Sequence, residues 1–316
     1  MHDNSFDILP YRPDMSGEWN RLVAEAANAT FLFDRNYMDY HADRFADASL
    51  VACRKGRPVA LLPANRSDDE LHSHQGLTYG GWIVPRRHFD ATDYLSLWDS
   101  WLEYSRRAGY KAIYYKPLPP IYHQLPWQAD EYALFRCGAQ RVEVNLSSTI
   151  RLDSNPGFNT LMRRQLRKAL SAGFKVSETT DTEAFFRMLS ACLSERHGAV
   201  PVHSAAELQL LRSRFPDRIR FFCVEAESAM QAGVCVYDTG FVAHAQYIAS
   251  MPFGREHHLL PLIFDSLIQR VYASRRYFDF GISCEDQGQV LNAGLLRQKT
   301  ALGGAPTVYT RYRISL

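Results

Sequence analysis

The chain has 316 residues, 46% of them apolar and 22% charged, which is the make-up of an ordinary globular protein large enough for two domains. Thirty-six basic and 34 acidic side chains leave a formal charge of +2, so the chain as a whole is neither a general nucleic-acid binder nor an acidic tail protein. The opening stretch MHDNSFDILPYRPDMSGEW has acids and no apolar h-region, and no run of 18 apolar residues occurs. The chain therefore reads as cytoplasmic, without a signal peptide or membrane span.

In chain order, residues 49–54 (SLVACR) and 58–63 (PVALLP) predict strands joined by a tight Lys55-Gly56-Arg57 turn. A third strand run covers 71–84, and a short loop at 85–90 leads to an amphipathic helix over 91–108 that Gly109 stops. A strand at 111–116, a helix near 131–137 and a strand at 141–146 follow. The second half repeats this order. Strands are expected at 219–225, 232–237 and 242–249, then a loop at 250–256, a helix over 259–274, a strand at 277–282, a helix over 290–302 and a strand at 307–314. The reading is an α/β (α+β) chain of two related domains, 1–150 and 151–316, each a mixed, mostly antiparallel sheet flanked by helices.

Between the copies, the helix expected over 158–172 (FNTLMRRQLRKALSA) places Phe158, Leu161, Met162, Leu166, Ala169 and Leu170 on one side. Arg163, Arg164, Arg167 and Lys168 fall on the other. No acid is spaced to neutralise these four, so the face is either a solvated surface or an anion-binding one. The six cysteines are scattered and have no zinc-knuckle spacing; Cys223 and Cys235 lie near enough to meet across a hairpin, but buried reduced thiols are the expectation. The chain has no GxxxxGK[ST], no HExxH and no GxSxG, and no metal is expected. The glycines of 76–81 (GLTYGG) lie in the third strand run, where they suit a bulge or bend better than a phosphate cradle.

On the strand at 242–249, His244 and Gln246 are two apart and so are expected to share one face, a polar pair on an apolar strand. His244 has the titration range to take a proton from an amine. Glu285 follows the strand at 277–282, where it either works on an acceptor amine or favours a helix N-terminus.

The element order strand–strand–strand–loop–helix–strand–helix–strand is similar to the GNAT acyltransferase fold. Its duplication around a basic helix resembles the FemAB-type aminoacyl or peptidyl transferases. Local matches are RRQLRKALSAGFKV at 163–176, Pro201-Val202-His203-Ser204, the run Ala243-His244-Ala245-Gln246-Tyr247, and the block from Phe278 through Glu285, Gly288, Asn292, Gln298 and Lys299 to Gly303. The resemblance implies a cleft between the strands at 242–249 and 277–282, with Lys299, His244 and Glu285 as catalytic residues. It also implies substrate contacts from Gln246, Tyr247, His203, Asn292 and Gln298, and phosphate contacts from the basic helix. Acyl-CoA enzymes of the family hold pyrophosphate on a Q/R-x-x-G-x-G/A loop; the matching segment, Ser250 to His257, keeps only Gly254 and Arg255. The implied function is amide formation by an acceptor amine on acyl-CoA or aminoacyl-tRNA, the acceptor being a small or peptide-like amine. The alternative is a non-catalytic module that binds RNA or a phosphorylated ligand through its basic helix.

Overall fold

A computed structural model of the protein describes residues 5–197 and 200–316. The chain divides into two compact units. One runs up to Asn145 and takes in Asp286–Gln289 and Val308–Leu316; the other comprises Leu146–Glu285 and Val290–Thr307.

The first unit contains, in chain order, β1 (Asp7–Pro10), α1 (Ser16–Glu25), α2 (Arg35–Met38), β2 (Ala46–Asp47), β3 (Leu50–Arg54), β4 (Arg57–Leu62), β5 (Asn65–Ser67), β6 (Glu70–His72), α3 (Ala91–Arg107), β7 (Ala112–Tyr115), α4 (Ala129–Arg136) and the start of β8 (Gln140–Arg151). The second contains α5 (Thr160–Ser171), β9 (Ser177–Thr179), α6 (Thr182–His197), α7 (Ala205–Arg214), β10 (Ile219–Ala226), β11 (Ala229–Asp238), β12 (Val242–Ser250), α8 (Pro252–Glu256), α9 (Leu259–Ser266), β13 (Tyr277–Ile282), β14 (Cys284–Glu285), β15 (Val290–Leu291), α10 (Ala293–Ala301) and the start of β16 (Ala305–Ser315).

Each unit is built on one parallel strand pair among antiparallel neighbours. In the first, β6 and β7 are parallel while β2 with β5, β5 with β6, and β7 with β16 are antiparallel; β1, β3 and β4 form a separate antiparallel sheet. In the second the order is β8-β13-β12-β11-β10-β9, and only β12 with β13 is parallel. Helix α3 starts on a capping box in which the Asp90 side chain accepts from the Thr92 and Asp93 amides. It buries Tyr94, Leu97, Trp98 and Trp101, and Gly109 ends it at φ +81°. Trp82, Trp98 and Trp101 meet edge to face, with centroids 5.0 and 5.7 Å apart, at the centre of the first core. In the second unit, α5 and α9 cover a floor of Val234, Val236, Ala243 and Ala245.

Several expected elements differ. The run at 71–84 is a strand only through His72; beyond it the chain folds as a loop touching β4 at an isolated Leu61–Ile83 bridge. Its glycines are demanded by close approach: a Cβ on Gly80 would fall 1.8 Å from the Ser73 carbonyl oxygen. The expected loop at 250–256 contains α8, and the helix expected to reach 274 passes from α9 into a π turn at Leu267–Val271. The helix expected from 290 starts at Ala293, because Val290–Leu291 pair with Cys284–Glu285. Helices α6 and α7 had no sequence expectation. Leu161 and Leu170, expected on the apolar side of the basic helix, are 46% and 52% exposed; the buried stripe is the narrower set Met162, Leu166 and Ala169. All six cysteines are free. Cys235 lies opposite Phe221 and Cys223 opposite Gly233, two positions out of register for a bridge.

Candidate active site

The parallel pair of the second unit is short. β12 and β13 are in register at Val242–Tyr277, Ala243–Phe278 and His244–Asp279, and there the pairing stops. β12 continues to Ser250 alongside β11, and β13 continues to Ile282 alongside β8, with its register broken between Asp279 and Ile282. Two strands that stop pairing in mid-course leave peptide groups without ladder partners along their facing edges.

His244 and Asp279 stand at that point. The His244 Nδ1 is 2.7 Å from Asp279 Oδ2, and Asp279 is fully buried. The other carboxylate oxygen accepts the hydroxyls of Ser147 at 2.7 Å and Thr149 at 2.8 Å, both from β8. Burial alone would raise the Asp279 carboxyl. The bond and charge of His244, with the two hydroxyls, outweigh it and hold the group down at about 2. A carboxylate so held fixes Nδ1 of the ring as the donor, with Nε2 on the side of the ring toward Gly281.

Lys299 reaches the same place from α10. It is 4% exposed, and its ammonium donates to the carbonyls of Gly281 at 2.9 Å and Ile282 at 2.6 Å. Burial pulls the amine down to about 8, against the opposing pull of the Asp279 charge. Gly281 sits between the two groups. Its φ is +76°, and a Cβ there would lie 3.4 Å from His244 Cε1. Asp279, Ser147 and Thr149 were not among the expected site residues. The available signal was Asp279 itself, a carboxylate inside the apolar strand YFDFGI, which needs a partner to be buried.

The remaining candidates separate into groups. A bulge sets Tyr247 opposite Cys235 and Ala245 opposite Val236, leaving Gln246 as the extra residue. Gln246 therefore does not share His244's face by simple alternation; Tyr247 does. The Tyr247 hydroxyl lies 2.5 Å from Nδ1 of buried His203. Glu285 is exposed and accepts from the Asn292 side chain at 3.0 Å, while Asn292 caps α10 by accepting the Leu295 amide. Gln298 is exposed on α10. Gly254 is needed for packing, since a Cβ would fall 2.3 Å from the Gln231 carbonyl oxygen. Arg255 donates to the Ser250 carbonyl at 2.8 Å and pairs with Glu195. Arg163, Arg164, Arg167 and Lys168 are exposed on α5, and among the described residues none has an acidic partner. Among the described residues no three His, Cys, Asp or Glu side chains are grouped to hold a metal ion, and no helix is long and apolar enough to cross a membrane.

Comparison with known proteins gives this geometry a context. Residues 158–287 match the family model described as acetyltransferase (GNAT) domain. A comparison with curated protein sequences finds no match. Among solved structures, FemX aligns with 98% of this chain and 97% of its own at a TM-score of 0.70 and 13% identity. The L-PGS of Bacillus licheniformis aligns with 96% of this chain and 90% of its own at 0.58 and 10% identity. A tandem GNAT protein from the clavulanic acid biosynthesis pathway covers 98% of both chains at 0.53 and 16% identity. The parting parallel strands of the second unit thus lie within the segment that matches the GNAT acetyltransferase model, in a chain whose fold is that of two GNAT-like domains.

Proposed function

We propose that the chain is an acyltransferase that forms an amide between an acceptor amine and an activated acyl donor at the end of the β12–β13 pairing. The observation that carries this reading is the convergence on Gly281 of an aspartate-held imidazole and a buried ammonium. His244 Nε2 takes a proton from the attacking amine as the C–N bond forms. The acyl C–S bond of a thioester, or the C–O bond of an aminoacyl ester, breaks, and the leaving thiolate or alkoxide takes that proton from the His244 imidazolium. Lys299 spends two N–H groups on the Gly281 and Ile282 carbonyls and has one left to oppose negative charge on the reacting oxygen.

The donor is acyl-CoA or aminoacyl-tRNA. The unpaired basic face of α5 and the engagement of Arg255 with Glu195 favour the tRNA ester, whose phosphates bind bidentate guanidinium groups. The test supplies each donor with a labelled acyl group and a pool of amines, amino acids and short peptides. Transfer in wild type and its loss in His244→Ala and Lys299→Met support the reading. Retained transfer in both variants removes the site. Salt-dependent tRNA binding with no transfer from either donor supports instead a module that only binds a phosphate-rich ligand.

A further inference from the structure

The first unit repeats the arrangement at the end of its own parallel pair, with different side chains. β6 and β7 are in register at Glu70–Ala112, Leu71–Ile113 and His72–Tyr114, so His72 holds the register place that His244 holds in the second unit. Tyr114 stands where Asp279 stands. The His72 ring stacks on it at 4.9 Å with 4° between planes, and no carboxylate sets its tautomer through Nδ1. Two residues on, Lys116 stands where Gly281 stands, and its half-buried side chain donates to the Leu77 carbonyl. The backbone here is closed by the chain itself: the Lys116 amide donates to the Ser73 hydroxyl at 2.7 Å, and the Gly80 amide donates to the Lys116 carbonyl at 2.8 Å. With the edge closed and no aspartate behind the imidazole, this place is not built for a second transfer reaction.

It gathers donors that are buried or half-buried. Lys116 has three N–H groups and one acceptor. Arg311 lies 5.1 Å over the Tyr114 ring and 3.3 Å from Glu143, and its Nε is buried without a hydrogen-bond partner. Nε2 of His72 is buried without one as well, at 3.3 Å from the half-exposed Glu70. Glu143 is already engaged, accepting from Asn145 at 2.7 Å. Buried donors are almost always satisfied in native proteins, so Arg311 Nε and His72 Nε2, left without hydrogen bonds beside an amine with N–H groups to spare, favour a further acceptor besides Glu70 and Glu143. Lys116 and Arg311 also raise each other's energy as like charges; burial, and after it Arg311, bring the Lys116 amine down to about 8 against the opposing charge of Glu143. An anion between them relieves both.

We propose that the first unit carries a second ligand site around Tyr114, where Lys116, Arg311 and His72 bind an anionic oxygen group, a phosphate or a carboxylate. The test is calorimetric and thermal-shift titration with inorganic phosphate, pyrophosphate and succinate, which needs no acyl-transfer assay. At least one of these anions is expected to bind wild type, and the stronger class identifies the group. Lys116→Met and Arg311→Gln are each expected to weaken binding about tenfold or more, the loss of one charge-assisted hydrogen bond, whereas Lys116→Arg retains it. If Lys116→Met does not fold, Arg311→Gln alone carries the comparison. The proposal is overturned if no anion binds at concentrations up to about 10 mM, or if both variants keep wild-type affinity. It is equally overturned if binding disappears only when Arg163 and Arg164 are changed to Glu.

Discussion

Replacing Lys299 by Met tests the buried ammonium directly. The ordinary lysine value is 10.5, and in the folded chain burial brings Lys299 to about 8. Between those values the unfolded chain holds a proton that the folded chain has released, so stability rises with pH across the window and carries the full cost of the buried charge below 8. A displacement of that size is worth about 3 kcal/mol. Lys116 is displaced in the same direction but is present in both proteins, so it cancels in the difference. Urea unfolding of wild type and Lys299→Met at a series of pH values is the assay. The stability of wild type relative to the variant is expected to increase by about 3 kcal/mol from pH 7 to 10.5. In the same variant, acyl transfer is expected to fall by about 10²–10³, the usual loss for one group that opposes charge in the transition state. Wild-type transfer is expected to decline as pH rises through 8. A stability difference that stays flat across the window would refute the claim that Lys299 is held as a strained buried cation. Unchanged turnover would refute its part in the reaction.

Asp279→Asn is expected to lower turnover by about 10²–10⁴ and to alter the pH profile, because the amide no longer fixes the His244 tautomer. Since Asp279 is held at about 2, its contribution to wild-type stability is present above the ordinary 3.8 and is lost as pH falls through 2; acid titration of Asp279→Asn lacks that loss. Gly254→Ala puts a Cβ 2.3 Å from the Gln231 oxygen and 2.7 Å from Ser250 Oγ, and thermal melting is expected to report a cost of about 1–3 kcal/mol; an unchanged melting temperature would mean that α8 yields freely. Changing Arg163, Arg164 and Arg167 together to Glu is expected to abolish tRNA binding and flatten its salt dependence, measured by filter retention; binding that persists makes the α5 face a solvated surface.

Most of the sheet was legible because its strands alternate or run apolar in the ordinary way. The limits of β3, β4, β7 and β13 fall within one or two residues of their expected positions. Helix α6 went unread although its signals are present: Phe185, Met188, Leu189 and Cys192 fall at i, i+3, i+4 and i+7, and Asp181 caps its start by accepting the Ala184 amide. His244 and Lys299 were visible through residue type and family resemblance, but their partners were not, since contacts from Ser147 and Thr149 to Asp279 cross more than 100 positions of sequence. The Gln246 bulge was invisible for another reason. Alternation assumes an unbroken register, and one inserted residue on β12 brings Tyr247 to the side where Gln246 was expected.

The exchange of segments between the two units bears on how the protein is made. Tyr312 and Ile314 belong to the first unit's core, yet they come after the whole of the second unit in the chain. Nascent chains ordinarily fold domain by domain from the amino end. Here the leading half has to wait, its β7 edge unpaired, until residues 308–316 have left the ribosome, so the trailing half is the one positioned to finish first.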